Sequence, residues 1–249
     1  MRAARARIDR SLHRAVDRGR IGPAEREDAW AHLLFADDLE ALADRQLVVE
    51  AVIEDERVKT DVLTALDKVL ADEQAVLATN TSAIPVTRLG IATGRASHVL
   101  GLHFFNPAPV MPLVELVSSL HTDQSVANRV ESFVKDTLGK HVIRSRDRAG
   151  FVVNALLVPY LLSAIRMAEA GHATAADIDD GMVHGCAHPM GPLQLADLIG
   201  LDTVQAIAES LYAEYKEPLY APPPLLSRMV EAGLLGRKTG RGFHPHRAG

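Results

Sequence analysis

One histidine and one glutamate, His103 and Glu115, interrupt two runs that are otherwise almost wholly apolar, VLGLHFF and LVELV. A carboxylate beside an imidazole stabilises the protonated ring, which suits a histidine that must take up a proton and return it. A glutamate in a core strand also needs a compensating cation or donor, and His103 is the nearest one. Val99 to Phe105 and Leu113 to Val117 read as two short buried strands, with Asn106, Pro107 and Pro109 reversing the chain between them. Such a hairpin would set His103 and Glu115 face to face. The plainer alternative, a satisfied core histidine and a glutamate turned to solvent on an edge strand, stays open at this point.

Two further sites carry polar groups where apolar ones would be simpler. A buried strand, Ala75 to Thr79, runs straight into Asn80, Thr81 and Ser82, and small hydroxyl and amide residues at a strand end are typical of ligand contacts at the carboxyl edge of an α/β sheet. Asn154 sits on the first turn of an apolar helix, where its amide either faces a cleft or bonds to nearby backbone. His184 and His188 are four residues apart, but Pro189 ends their helix and no third ligand is in view, so no metal is expected.

The elements that must position these groups follow from composition and periodicity. With 249 residues, 47% of them hydrophobic, the chain can bury two modest cores or one large one. The net charge of −5 provides no overall basic field for nucleic acid. A single cysteine, Cys186, excludes an intramolecular disulfide and fits a reducing, cytoplasmic compartment. No apolar run approaches the ~18 residues of a membrane span. Arg2, Arg5, Arg7, Arg10 and Arg14 flank an apolar stripe of Ile8, Leu12, Ala15 and Val16, which makes one amphipathic helix with a basic face suited to a phosphate.

A second helix is expected from about Pro23 to His32 and a short strand at Leu33 to Phe35. Gln46 to Ile53 reads as a strand apolar on both sides, followed by a helix from Glu56 to about Leu70. A helix entered through Pro85, the hairpin, a helix over about Gln124 to Leu138 and a strand from His141 to Arg144 complete an α/β part. From Gly150 onward only helical patterns remain: Phe151 to Ala170, Ala175 to His184, Gly191 to Tyr215 and Pro224 to Ala232. The expected division is therefore 1–149 and 150–249, an α/β domain and then an all-α one.

Six stretches, LVVEAVIED (47–55), ATNTSAIPV (78–86), GLHFFNPAPVMPLVELV (101–117), DRAGFVVNALLVPYLLSAI (147–165), HPMGPLQLADLIGLD (188–202) and LGRKTGRGF (235–243), occur in this order. Together they resemble the 3-hydroxyacyl-CoA dehydrogenases, and among these the small bacterial 3-hydroxybutyryl-CoA dehydrogenases. The resemblance implies a Rossmann-type dinucleotide-binding domain followed by a helical dimerisation domain. It implies NAD-dependent oxidation of a short-chain (S)-3-hydroxyacyl-CoA in fatty-acid or hydroxybutyrate metabolism, with NADP left open. His103 would be the general base, paired with Glu115, and Ser82 and Asn154 would hold the reacting oxygen. Glu54, Lys59, Ser82, Asn106 and Lys238 match cofactor-contacting positions, and Ser11 and Arg18 match positions that contact coenzyme A. A homodimer is the implied assembly.

Departures from the family pattern are small within and beside these stretches: Ala83 for a second serine, Pro112 for lysine, and His244, just after the last, for tyrosine. A larger one lies at the front, where the family has a strand, a G-x-G-x-x-G turn, a helix and a strand ending in an acidic residue. This chain starts at the helix that would follow, so its first βαβ unit is expected to be missing and the 249-residue chain to bind NAD weakly and show little or no dehydrogenase activity. Two other readings are a non-catalytic remnant that dimerises and binds acyl-CoA, and a dehydrogenase of a free hydroxy acid on the same architecture.

Overall fold

The computed structural model describes residues 2–246, so the outermost residues of the two expected domains, 1 and 247–249, lie outside it. Helices α1 (Arg2–Asp17) and α2 (Pro23–Ala31) come first and pack on each other. Asp9 ties them through the guanidinium of Arg26 at 2.7 Å, and no residue of either helix is fully buried. Residues 33–36 belong to no strand, so the short strand expected at Leu33 to Phe35 does not form. The Leu33 N–H turns back to the Trp30 carbonyl at 3.2 Å, and the segment stays a connection outside the sheet.

The remaining α/β elements are β1 (Leu47–Glu50), α3 (Glu56–Val69), β2 (Val76–Thr79), α4 (Val86–Ile91), β3 (Val99–Phe104), β4 (Leu113–Ser118), α5 (Gln124–Ser132) and β5 (His141–Arg146). They form one five-stranded sheet in the order β1-β2-β3-β4-β5. β1, β2 and β3 run parallel, β4 is antiparallel to β3, and β5 is parallel to β4. Asp55 caps α3 by accepting from the Val58 N–H at 2.9 Å, and Asp123 caps α5 through the Ser125 N–H at 2.7 Å. The strand expected from Gln46 to Ile53 ends early, at Glu50, and Ile53 beyond it is exposed.

Side-chain alternation divides the sheet between two cores. Val76, Ala78, Leu100, Leu102, Val114 and Leu116 face α5, whereas Leu77, Val99 and Val117 face α3 and α4. His103 and Glu115 share the parity of Val99 and Val117 and therefore project from the second face. Gly101 lies on that face too, where a Cβ would come 2.9 Å from the Val117 Cβ, so the glycine lets the hairpin close.

The helical part comprises α6 (Val153–Glu169), α7 (Ala175–Cys186), α8 (Pro192–Ile199), α9 (Leu201–Tyr215) and α10 (Pro224–Glu231) around a core of Val158, Leu161, Leu162, Ile165, Leu193 and Leu211. The single helix expected from Gly191 to Tyr215 is two helices. Gly200 separates them at φ +103°, a conformation closed to other residues, and a Cβ there would lie 2.5 Å from the Cε of Lys238. The chain passes between the two parts in a crossed manner: Ala149 packs into the helical core, while Phe151 packs back into the sheet core.

Candidate active site

The hairpin register places His103 directly opposite Glu115, and both side chains are buried, at 5% and 0% exposure. His103 Nδ1 lies 2.6 Å from Glu115 Oε2. The other carboxylate oxygen, Oε1, accepts the backbone N–H groups of Val152 and Val153 at 3.0 Å each. These N–H groups lie at the N-terminus of α6, where the helix leaves its donors unpaired and favours negative charge. One carboxylate thus joins the sheet, the imidazole and the first turn of the helix that carries Asn154.

This bonding fixes the proton on the ring. Glu115 accepts at both oxygens, so His103 Nδ1 must donate, which leaves Nε2 with a free lone pair. Nε2 faces the Ser82 hydroxyl at 3.1 Å. Phe105 and Phe151 flank the imidazole, with ring centroids 4.7 and 5.6 Å away, and shield it from water. The alternative of a glutamate turned to solvent is excluded by its burial.

Ser82 stands on the loop beyond β2, and a web of side chains shapes that loop. Asn80 Oδ1 accepts the Phe104 N–H at 2.9 Å, which locks the loop to β3. Glu54 Oε1 accepts the Thr81 hydroxyl at 2.5 Å and the Ser82 and Ala83 N–H groups at 2.9 and 3.2 Å. The Ser210 hydroxyl of α9 donates to the Ala83 carbonyl at 3.0 Å, a tie from the helical part. Lys59 of α3 is wholly buried, with its ammonium 2.9 Å from Glu50 Oε1 and 3.3 Å from Glu54 Oε2. Glu50, buried at the end of β1, is not among the residues the sequence singles out, and the signal for it is its charge in a run otherwise apolar on both sides.

Among the residues singled out from sequence, His103, Glu115 and Ser82 are joined directly, Glu54 accepts the Ser82 N–H, and Lys59 pairs with Glu54. Asn154 lies on the first turn of α6, is 8% exposed, and its side chain makes no hydrogen bond among the described residues. Asn106 is exposed on the connection after β3. Lys238 is held elsewhere, by Asp202 at 2.7 Å and by the Thr203 hydroxyl at 3.1 Å. Ser11 lies on α1 and Arg18 just beyond it, and no hydrogen bond or ion pair among the described residues ties either of them, or Lys238, to His103. No described helix is long and apolar enough to cross a membrane.

Known proteins resemble this chain in sequence and in fold. A family model described as the 3-hydroxyacyl-CoA dehydrogenase NAD binding domain matches residues 1–148, and one described as the C-terminal domain of the same family matches residues 150–246. The 3-hydroxybutyryl-CoA dehydrogenase of Mycobacterium tuberculosis is 58% identical over 244 residues, which are 98% of this chain and 85% of that one. The crystal structure of M. tuberculosis FadB2 superposes with a TM-score of 0.98 at 58% identity, covering 99% of this chain and 86% of that one. The (S)-3-hydroxybutyryl-CoA dehydrogenase of Ralstonia eutropha superposes with a TM-score of 0.92 at 40% identity, over 98% and 86% of the two chains. With both halves matched and relatives this similar along nearly its whole length, the chain belongs to the 3-hydroxyacyl-CoA dehydrogenase family.

Proposed function

We propose that this chain oxidises a short-chain (S)-3-hydroxyacyl-CoA to the 3-oxoacyl-CoA with NAD, and runs the reverse reduction, using His103 as general base and acid. The observation that carries this reading is the imidazole held between Glu115 and Ser82, with its basic nitrogen turned toward the serine. His103 Nε2 takes the proton of the 3-hydroxyl, Ser82 donates to or accepts from the same oxygen, and the Asn154 amide approaches it from α6. Glu115 stabilises the imidazolium that results, and its own charge is held by two backbone N–H groups. In reduction His103 returns the proton.

The residues present fit a nicotinamide. At the carboxyl edge of β1 and β2 the Glu54 carboxylate, which is 40% exposed, accepts the Ser82 N–H, and its exposed side offers an acceptor that suits a carboxamide. A bound NAD would supply the acceptor for the hydride that leaves the hydroxyl-bearing carbon. Glu54, Ser82, Asn106 and Lys238 are the residues we assign to it, with the buried Lys59 acting through Glu54, and Ser11 of the basic first helix and Arg18 just beyond it to the coenzyme A part. The division at residues 149 and 150 belongs to the same reading, with the dinucleotide-binding domain before it and the helical domain after it. A cytoplasmic setting suits the single cysteine, Cys186.

A homodimer through the helical part is the assembly we infer, supported by Leu156 on α6, which is 74% exposed in the single chain, and by the exposed Met167, Leu198 and Tyr212 of α6, α8 and α9. Sedimentation at micromolar concentration is expected to give twice the chain mass, and a monomer would contradict it. For the substrate, NADH formation should be seen with (S)-3-hydroxybutyryl-CoA and not with free (S)-3-hydroxybutyrate. Equal rates with the free acid would favour a hydroxy-acid dehydrogenase instead.

A further inference from the structure

The catalytic histidine and serine are held at one end by the α6 terminus and at the other by a buried charge cluster that reaches back to β1. Glu50 is 3% exposed, Lys59 is fully buried, and the carboxylate grips the ammonium with both oxygens, at 2.9 and 3.1 Å. Glu50 is itself fixed by the Thr79 hydroxyl at 2.7 Å and the Val52 N–H at 2.6 Å. The same ammonium stands 3.3 Å from Glu54, whose other oxygen takes the N–H groups of Ser82 and Ala83. Two carboxylates thus share one cation in surroundings of low dielectric, where charge balance is felt strongly.

We propose that Glu50 is a positioning residue for catalysis: by holding Lys59 on the β1 side, it leaves Glu54 free to fix the Ser82 loop. If Glu50 loses its charge, the ammonium has Glu54 as its sole anionic partner and draws that carboxylate away from the Ser82 and Ala83 N–H groups. The Ser82 hydroxyl then leaves His103 Nε2. Glu50 touches neither imidazole nor serine, and its effect passes through Lys59 and Glu54. The proposal rests on the assignment of His103 and Ser82 given above.

The test is a double-mutant cycle with a resonance readout. Glu50→Gln is expected to lower kcat about tenfold or more with little change in the KM for the acyl-CoA, and to have no further effect in a Ser82→Ala background, because residues acting as one unit are not additive. Additive losses in the double variant would overturn the proposal, since damage unrelated to Ser82 persists without its hydroxyl. In the protein without added ligands, the ¹⁵N resonance of His103 Nε2 is expected to shift in Glu50→Gln and an unshifted resonance would contradict the chain of contacts. Should Glu50→Gln fail to fold, Thr79→Val removes one of the bonds that fix Glu50 while leaving its charge, and a smaller shift of the same sign is expected; an unchanged resonance there counts against the proposal. Wild-type turnover and its loss in His103→Gln report on the proposed function separately, so the two readings fail in different experiments.

Discussion

Replacing Glu115 by glutamine and by alanine should have different consequences, because each of its oxygens has its own partners. Glutamine keeps an acceptor for the Val152 and Val153 N–H groups but turns its amide N–H to the imidazole, whose proton must then sit on Nε2; the basic nitrogen toward Ser82 is lost, so activity should fall, while the buried groups stay paired. Alanine leaves those two donors and the His103 Nδ1–H unpaired in a buried site, at a cost of about 1–3 kcal/mol for each such group. Urea unfolding should therefore find Glu115→Ala less stable than Glu115→Gln by more than about 2 kcal/mol, and equal stabilities would contradict the bonding described. The pair was legible in the sequence because two titratable residues stood in apolar runs, where neither could remain without a partner. The α6 N–H groups that complete Glu115 were not, because nothing local in the residues 152 and 153 tells which strand their backbone will face. Glu54 and Lys59 were reached through resemblance alone, and Glu50 was overlooked since its partners come from α3 and from the end of β2.

The helix α5 runs into a π-helical turn, Phe133–Thr137, and is anchored to β5 through Glu131. The Lys135 ammonium, 2.5 Å away, and then the Arg144 guanidinium hold the Glu131 carboxyl below the usual carboxylate range. A carboxyl whose folded value is depressed stabilises the fold above its unfolded value, near 4.3, and that contribution is lost as pH falls through the folded value. Glu131→Gln should accordingly lower Tm at neutral pH, and the difference from the parent should close as the pH drops below about 4. A gap that persists unchanged to pH 2 would mean that packing, and not charge, sets it. At this scale the periodic patterns located nearly every helix and strand, because burial on one face imposes them. The misses have local causes: Gly200 splits a continuous apolar pattern by its positive φ, and the Leu33 N–H turns back to the Trp30 carbonyl. Periodicity is blind to both.

Across the whole molecule the two parts are bound by polar ties at the site itself: Glu115 to the α6 terminus, Ser210 to the Ala83 carbonyl, and Glu214 of α9 to the Ala149 N–H at 2.8 Å. The alternation of strands and helices followed by helices alone made this division readable, whereas the crossed packing of Ala149 and Phe151 depends on side-chain directions that a sequence does not display. The central claim is that His103 moves the proton of the 3-hydroxyl. Its most direct measurement is kcat for (S)-3-hydroxybutyryl-CoA at saturating NAD in the parent and in His103→Gln: the account predicts a fall of about 10²-fold or more with KM nearly unchanged, and a variant that keeps the parental kcat would contradict it.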